Sequence, residues 1–151
     1  MKPQYNPALG ATASVQLFRT IIALASHLRT RMDQHLAAID LTTQQAAVLS
    51  VVESAVEPPT LGDVAALLGS SHQNARQIVT ALERKGLLEV TVDSRDRRAR
   101  RLRATPSVRT IFDSRDLSDH REVEQWLGAL TDAEQRQAVA LLHRVLADLA
   151  S

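Results

Sequence analysis

Residues 91–105 read TVDSRDRRARRLRAT and contain six arginines but no lysine. The runs on either side of the turn are LLEVTV (87–92) and RRLRAT (100–105), and in each of them apolar and polar residues alternate, which is typical of paired β-strands with one buried face. The turn itself is polar, so the pattern predicts a β-hairpin whose tip is rich in arginine. The arginines expected to face outward are Arg95, Arg97 and Arg98 at or near the tip, and Arg101 and Arg103 on the second strand.

Two carboxylates, Asp93 and Asp96, lie in the same turn. A carboxylate that faced a phosphate backbone would repel it, whereas a carboxylate beside arginine forms a charge-assisted hydrogen bond. We therefore expect Asp93 and Asp96 to pair with the arginines of the tip and to hold the shape of the loop.

The composition predicts a mainly α-helical protein with one core. The chain has 151 residues, of which 44% are apolar and 3% aromatic. A core of Ala, Leu, Val and Ile suits packed helices better than a sandwich or a barrel. The length supports one folding unit, residues 1–151. The chain contains no cysteine, which excludes a disulfide framework and a thiolate zinc site.

The N-terminal stretch MKPQYNPALG lacks the unbroken apolar core of a signal peptide. No stretch approaches the roughly 18 apolar residues that a membrane span requires. We expect a soluble, cytoplasmic protein with no membrane partner.

Charge is distributed unevenly, although the net charge is only +1. Residues 70–103 hold nine basic and four acidic side chains, whereas residues 113–148 hold four basic and eight acidic ones. An electropositive segment on an otherwise neutral to acidic molecule is typical of a protein that binds a phosphate backbone. The alternative is a solvated charged loop without a partner.

The N-terminal third predicts two helices. Apolar residues recur at three- and four-residue intervals from about Thr12 to Ile39, which indicates one long amphipathic helix. A second helix begins with Thr42 or Thr43 as its N-cap, and Thr42 with Gln45 matches a capping box.

The next two helices are short and adjacent. Thr60 and Asp63 have the spacing of side chains that cap each other's amides, and Gly69 is suited to end that helix in a left-handed conformation. Ser71 then serves as the N-cap of a helix that stops at Gly86. Two short helices joined by a tight turn that contains glycine predict a helix-turn-helix.

The second of these helices has one apolar and one polar face. A helical wheel places Ala75, Ile78, Val79 and Leu82 on the core side. Opposite them or flanking them lie Gln73, Arg76, Gln77, Thr80 and Arg84, and the N-terminal end holds Ser71, His72 and Asn74. Gln and Asn can bond in bidentate fashion to adenine and Arg to guanine, so this face suits the reading of base edges in the major groove. The alternative is an ordinary solvated helix face.

At this point the chain resembles the MarR (multiple antibiotic resistance regulator) family of bacterial transcription factors. The long first helix is followed by LTTQQAAVL, LGDVAALLGSSHQNARQIVTALERKGLL and DSRDRRARRLRAT, which match the family's second helix, helix-turn-helix and wing in order and spacing. The wing is the most specific part. The family often has Gly a few residues after the wing, where this chain has Val108 in ATPSVR.

The resemblance implies a winged helix-turn-helix flanked by N- and C-terminal dimerisation helices. It places the DNA-binding lobe at residues 41–105 and the dimerisation helices at 12–40 and 107–151. It also implies that either Arg95 or Arg97 enters the minor groove. The base contacts that it implies on the recognition helix are Ser71, His72, Gln73, Asn74, Arg76 and Gln77.

The C-terminal third agrees with such a dimer. Thr131 and Glu134 match a capping box, and the helix that follows has a broad apolar stripe. These helices carry more apolar surface than a small wing domain can cover, so we expect a homodimer formed by the terminal helices, as is the rule in the family. Two-fold symmetry predicts a pseudo-palindromic operator in double-stranded DNA, with half-sites about one helical turn apart.

The expected function is that of a transcription regulator, a repressor released by a small aromatic effector, as the resemblance implies. Trp126 is either part of an effector pocket or a core residue. The alternative function is a sequence-indifferent architectural protein that binds DNA through the arginine hairpin alone.

Sequence motifs for an enzyme are missing: there is no phosphate-cradling glycine loop, no HExxH and no nucleophile elbow. We expect no catalytic activity, cofactor or metal. The one candidate set of metal ligands is His120, Glu122, Glu124 and His143, which more often face solvent on amphipathic helices.

Overall fold

The structure is a computed structural model that describes Gly10 and residues 12–151. The stretch MKPQYNPALG, on which the expectation of no signal peptide rests, lies outside the described residues except for Gly10. None of the helices in the described part of the chain is long and apolar enough to cross a membrane.

Six helices and one hairpin make up the described chain, which confirms the predicted fold class of a mainly α protein with a small β wing. The elements are α1 (Ala13–Leu36), a short 3-10 turn (Ala37–Ile39), α2 (Thr43–Ser54), α3 (Leu61–Leu67), α4 (His72–Arg84), β1 (Leu88–Val92), β2 (Arg100–Ala104), α5 (Pro106–Trp126) and α6 (Asp132–Leu149).

The predicted helix starts are confirmed. Thr42 with Gln45, Thr60 with Asp63, and Thr131 with Glu134 each form the reciprocal bonds of a capping box. These bonds satisfy amides that have no partner within the helix, and each one joins residues three apart in the sequence. Local sequence is therefore sufficient to place these ends.

The first helix ends earlier than its apolar pattern predicts, at Leu36 rather than Ile39. Its last turn tightens into the 3-10 turn, and Asp40 adopts the left-handed conformation with φ of 55°. The amide of Asp40 then donates to the carbonyl oxygen of Ala37 at 3.1 Å, and that of Leu41 donates to that of Leu36 at 3.3 Å. This pair of bonds closes the helix, because it satisfies carbonyls that would otherwise be orphaned.

The chain divides into two compact units, one ending at Asp113 and one beginning at Ser114. The core of the first unit is built from apolar side chains of α1 to α4, the hairpin and the start of α5. The two strands pair antiparallel with Leu88 opposite Ala104 and Val90 opposite Leu102, which is the predicted alternation. The fully buried large side chains are Leu49, Leu82, Leu102, Val48, Val64 and Val108.

The second unit holds the end of α5 and all of α6. The side-chain amide of Gln135 donates to the carbonyl oxygens of Leu127 and Leu130, at 3.2 and 3.1 Å, and so fastens the start of α6 to the turn before it. No residue of α6 is buried within the chain.

Candidate nucleic-acid interface

The turn between α3 and α4 is a corner that is held by backbone and side-chain hydrogen bonds. Gly69 has φ of +59°, a conformation that side chains disfavour, and its presence lets the amide of Ser70 donate to the carbonyl oxygen of Ala65 at 2.9 Å. Ser71 Oγ caps α4 by accepting from the amide of Asn74 at 3.2 Å, and Asn74 Nδ2 donates to Ser70 Oγ at 2.7 Å. Ser71 and Asn74 therefore have structural bonds at the corner, beside the base contacts predicted for them.

The two faces of α4 follow the predicted wheel. Ala75, Ile78, Val79 and Leu82 are buried in the core. Gln73, Arg76 and Gln77 are exposed, and within the described residues their side chains form no hydrogen bond or ion pair. With His72 they line one concave patch of the surface. These side chains are free to bind a partner.

His72 has a neighbour in the preceding helix. A β-carbon added at Gly62 of α3 would lie 3.4 Å from Cε1 of His72, in ordinary van der Waals contact. The imidazole thus lies against the backbone of α3, which limits the directions in which it can point.

The tip of the hairpin is shaped by two aspartates that bind backbone amides. Asp93 Oδ1 accepts from the amide of Arg95, and Asp96 Oδ1 accepts from the amide of Arg98, each at 2.9 Å. The expectation that these carboxylates hold the loop is confirmed, but the bonds to the two tip arginines involve backbone amides and not guanidinium groups. The side chains of Arg95, Arg97 and Arg98 remain exposed.

The arginine that pairs with Asp93 is Arg101, on the opposite strand. Its Nε and Nη2 both lie 2.8 Å from Oδ2 of Asp93, and its Nη1 donates to the carbonyl oxygen of Pro58 at 3.0 Å. The amide of Arg95 and the guanidinium of Arg101 hold the pKa of Asp93 below its usual range. The side chain of Arg101 is 32% exposed and held against the protein, where an outward direction was expected. Its predicted contact with DNA stays a prediction.

Further backbone contacts beside Arg101 join the hairpin to the helix-turn-helix. The amide of Leu102 donates to the carbonyl oxygen of Pro59 at 2.9 Å, and Thr60 forms a β-bridge with Arg101. The connection between α2 and α3 therefore pairs with β2, and Pro59 is tolerated there because it accepts and does not donate. Sequence reasoning missed this pairing; the only signal for it is that two prolines directly precede Thr60.

Positive charge is concentrated on the exposed residues of α4 and the hairpin. Asp93, which directly follows β1, forms an ion pair with Arg101. The exposed arginines are Arg76 and Arg84 on α4, and Arg95, Arg97, Arg98, Arg100 and Arg103 on the hairpin. A polar helix face and an arginine hairpin on one lobe can bind base edges and phosphates together.

Metal binding has no support in the part of the chain that the structure describes. No three His, Asp or Glu side chains there lie close enough together to hold an ion, and this includes the candidate set His120, Glu122, Glu124 and His143.

Comparison with known proteins finds a matching family model and a relative that regulates transcription. Residues 39–99, from the end of α1 to the tip of the hairpin, match a MarR family model. Over 100 residues the chain is 33% identical to the transcriptional activatory protein BadR of Rhodopseudomonas palustris, an alignment that covers 65% of this chain. It spans only 57% of that relative's length.

Solved structures with the same fold cover nearly the whole chain. The MepR-DNA complex of S. aureus matches with a TM-score of 0.75 and 23% identity over 92% of this chain and 99% of that one. A MarR/EmrR family transcriptional regulator from Acinetobacter sp. ADP1 matches with a TM-score of 0.79 and 19% identity over 92% and 98%. BldR from Sulfolobus solfataricus matches with a TM-score of 0.80 and 20% identity over 89% and 95%. Residues 39–99 therefore match the MarR family model, and the solved structures show that the chain has the same winged helix-turn-helix fold as these proteins.

Proposed function

We propose that this protein is a homodimeric regulator of transcription that binds double-stranded DNA in a sequence-specific manner. The observation that carries the proposal is the polar face of α4, where Gln73, Arg76 and Gln77 are exposed and make no bond to the described residues. Their amide and guanidinium groups match the donor and acceptor pattern of base edges in the major groove.

The hairpin supplies the second contact. In this proposal α4 lies in the major groove and either Arg95 or Arg97 enters the adjacent minor groove, where a narrow groove concentrates negative potential. Arg98 and Arg103 contact phosphates, and Ser71, His72 and Asn74 contact the DNA at the start of α4. The aspartate-bound turns support this arrangement, because they order the loop before DNA binds.

The dimer is supported by apolar surface that the chain itself leaves uncovered. On α6 the exposed side chains Val139, Leu142, Val145, Leu146 and Leu149 share one face, and no residue of the helix is buried. An isolated 18-residue helix with an uncovered apolar stripe is marginal in water, so a partner surface is needed. On α1 the exposed side chains are Val15, Leu17, Phe18, Ile21, Ile22 and Leu24.

The regulatory direction in this proposal is repression, relieved by a small aromatic effector, as in the family that the chain resembles. The relative BadR is named an activatory protein. Direction depends on where the operator lies relative to the promoter, so a reporter assay with the natural promoter decides between repression and activation.

The experiment that tests the proposal is fluorescence anisotropy of the purified protein with two duplexes, across a series of salt concentrations. One duplex comes from a selection of random DNA for tight binding and the other is its scrambled form. We expect a preference of about 10³ or more for the selected duplex, with affinity that falls as salt rises. Addition of a panel of phenols then tests release by an effector.

Two other outcomes contradict the proposal. Equal, salt-sensitive binding to both duplexes would indicate the architectural protein that uses the arginine hairpin alone. Failure to bind either duplex at low salt would remove DNA as the partner.

A further inference from the structure

Lys85 lies at the C-terminal end of α4 and is held by three oxygen atoms. Its ammonium donates to the carbonyl oxygen of Asp40 and, at 3.1 Å, to Oε1 of Gln45, and it lies 3.5 Å from Oδ2 of Asp40. These contacts join residues 45 and 40 positions apart in the sequence. They connect the end of α4 to the junction of α1 and α2.

Both partners of Lys85 belong to the structure of that junction. Asp40 has φ of 55° and is the one residue other than glycine with positive φ in the described part of the chain. Gln45 Oε1 also accepts from the amide of Thr42, at 3.2 Å, in the capping box that begins α2. The ammonium therefore binds the residue that ends the first helix and the side chain that caps the second.

The choice of lysine fits this site. Lys2 and Lys85 are the only lysines of the chain, and every other permanently cationic side chain is arginine. An ammonium presents three donors from one nitrogen and suits three converging oxygens, whereas a guanidinium presents a planar fork. Only 27% of the Lys85 side chain is exposed, so it is packed along the protein and points at the junction.

We propose that Lys85 is a positioning residue, which fixes the C-terminal end of α4 to the α1–α2 junction so that a displacement of α1 is passed to α4. The inference deepens the proposed function, on which it rests, because α4 is there the helix that reads DNA and α1 carries apolar surface for a second copy. Lys85 then acts on sequence discrimination through the position of α4, without touching a base.

The test uses the full chain and two variants. Lys85→Met removes the charge and all three donors but keeps a side chain of similar length. Lys85→Arg keeps the charge and replaces the compact ammonium with the planar fork, so it separates charge from geometry. Thermal unfolding confirms that each variant is folded before the other measurements.

The first measurement needs no DNA. Amide hydrogen exchange at Leu41 and at Gly86 should be faster by about tenfold in Lys85→Met, because the junction and the end of α4 are no longer held together. Exchange at Ser70, in the turn before α4, should be unchanged. Unchanged exchange at Leu41 and Gly86 would overturn the proposal whether or not the protein binds DNA.

The second measurement compares the selected and scrambled duplexes. We expect both variants to lose about tenfold in preference for the selected duplex, while Lys85→Arg keeps the wild-type affinity for the scrambled one. Full preference in Lys85→Met, or full rescue by arginine, would overturn a positioning role. If the wild-type protein prefers no duplex, the proposed function fails, and hydrogen exchange alone then decides whether Lys85 fastens α4 to the junction.

Discussion

The guanidinium of Arg101 closes on the carboxylate of Asp93 across the hairpin, with Nε and Nη2 both 2.8 Å from Oδ2. The same carboxylate accepts the amide of Arg95 through its other oxygen, at 2.9 Å. The start of β2 and the tip of the hairpin are therefore held by one side chain. Because Arg101 also donates to Pro58, the hairpin and the helix-turn-helix are joined at this point.

Asp93→Asn tests whether the Asp93 carboxylate orders the hairpin. Loss of the negative charge and loss of the order in the loop should change the affinity for DNA in opposite directions. Removal of a negative charge from a DNA-binding surface should by itself strengthen binding. If the carboxylate orders the hairpin, the variant should instead bind the selected duplex about three- to tenfold more weakly, since the loop must be ordered on binding. Anisotropy at fixed salt measures the change.

Glu89→Gln is the matched control for that variant. Glu89 is exposed on β1, and the described residues offer it no hydrogen bond or ion pair. Its substitution removes the same charge and should leave binding unchanged or slightly stronger. Tighter binding by Asp93→Asn as well would show that only charge matters.

The polar face of α4 predicts a loss of sequence preference when its glutamines are shortened. Gln73→Ala and Gln77→Ala should each weaken binding to the selected duplex by about 1–3 kcal/mol, because a bidentate contact to a base is lost. Affinity for the scrambled duplex and the salt dependence should not change. Gln34→Ala, at an exposed position of α1, is the control, and an equal effect there would contradict base reading by α4.

The hairpin tip predicts unequal effects of Arg95→Ala and Arg97→Ala. Only one of the two is proposed to enter the minor groove, which is narrow at sites flanked by A·T pairs. The loss of that arginine should weaken binding to such sites at least about tenfold more than it weakens binding to sites with other flanking pairs. The other should reduce the salt slope by about one unit at most, as for a phosphate contact. Equal effects at all flanking sequences would place both arginines on phosphates.

The uncovered face of α6 predicts a dimer that one charge disrupts. Leu146, which is 60% exposed in the single chain, lies on the apolar stripe. Leu146→Asp should raise the dimer dissociation constant by at least about 100-fold, because an unpaired carboxylate would be buried at the contact. Gln137→Asp places the same charge on the opposite, polar side of α6 and should have no effect. Sedimentation velocity measures both, and a wild-type monomer would contradict the proposed assembly.

Acid should weaken the contact between α1 and α2. Asp33 Oδ1 accepts from the amide and the hydroxyl of Thr43, each at 2.7 Å, and the backbone bond is the main reason that the pKa of Asp33 lies below its usual value. A folded-state pKa below the unfolded value of about 3.9 gives stability that is present above that pH and lost as pH falls through the folded pKa. The wild-type protein should therefore have a larger free energy of unfolding than Asp33→Asn above about pH 4, and this difference should shrink at lower pH. Urea titrations measure it, and a difference independent of pH would contradict this.

The sequence by itself determined the helix starts, the helix-turn-helix and the pairing of the hairpin. Capping boxes such as Thr60 with Asp63 join residues three apart, and the alternation of 88–92 and 100–104 places one face of each strand inside. Such signals lie within one helical turn or one strand, so a single stretch of chain contains all the information. The polar face of α4 follows from the same periodicity.

Tertiary structure alone decided which charged residues hold the lobe together. Arg101 binds the carbonyl oxygen of Pro58, 43 residues away, and Lys85 binds Asp40 at a separation of 45 residues. An arginine in a run of arginines carries no local mark of the partner that it meets in space. The reason is physical: a guanidinium or ammonium bonds to any oxygen within its reach, and only the assembled core brings Pro58 close to Arg101 and Asp40 close to Lys85.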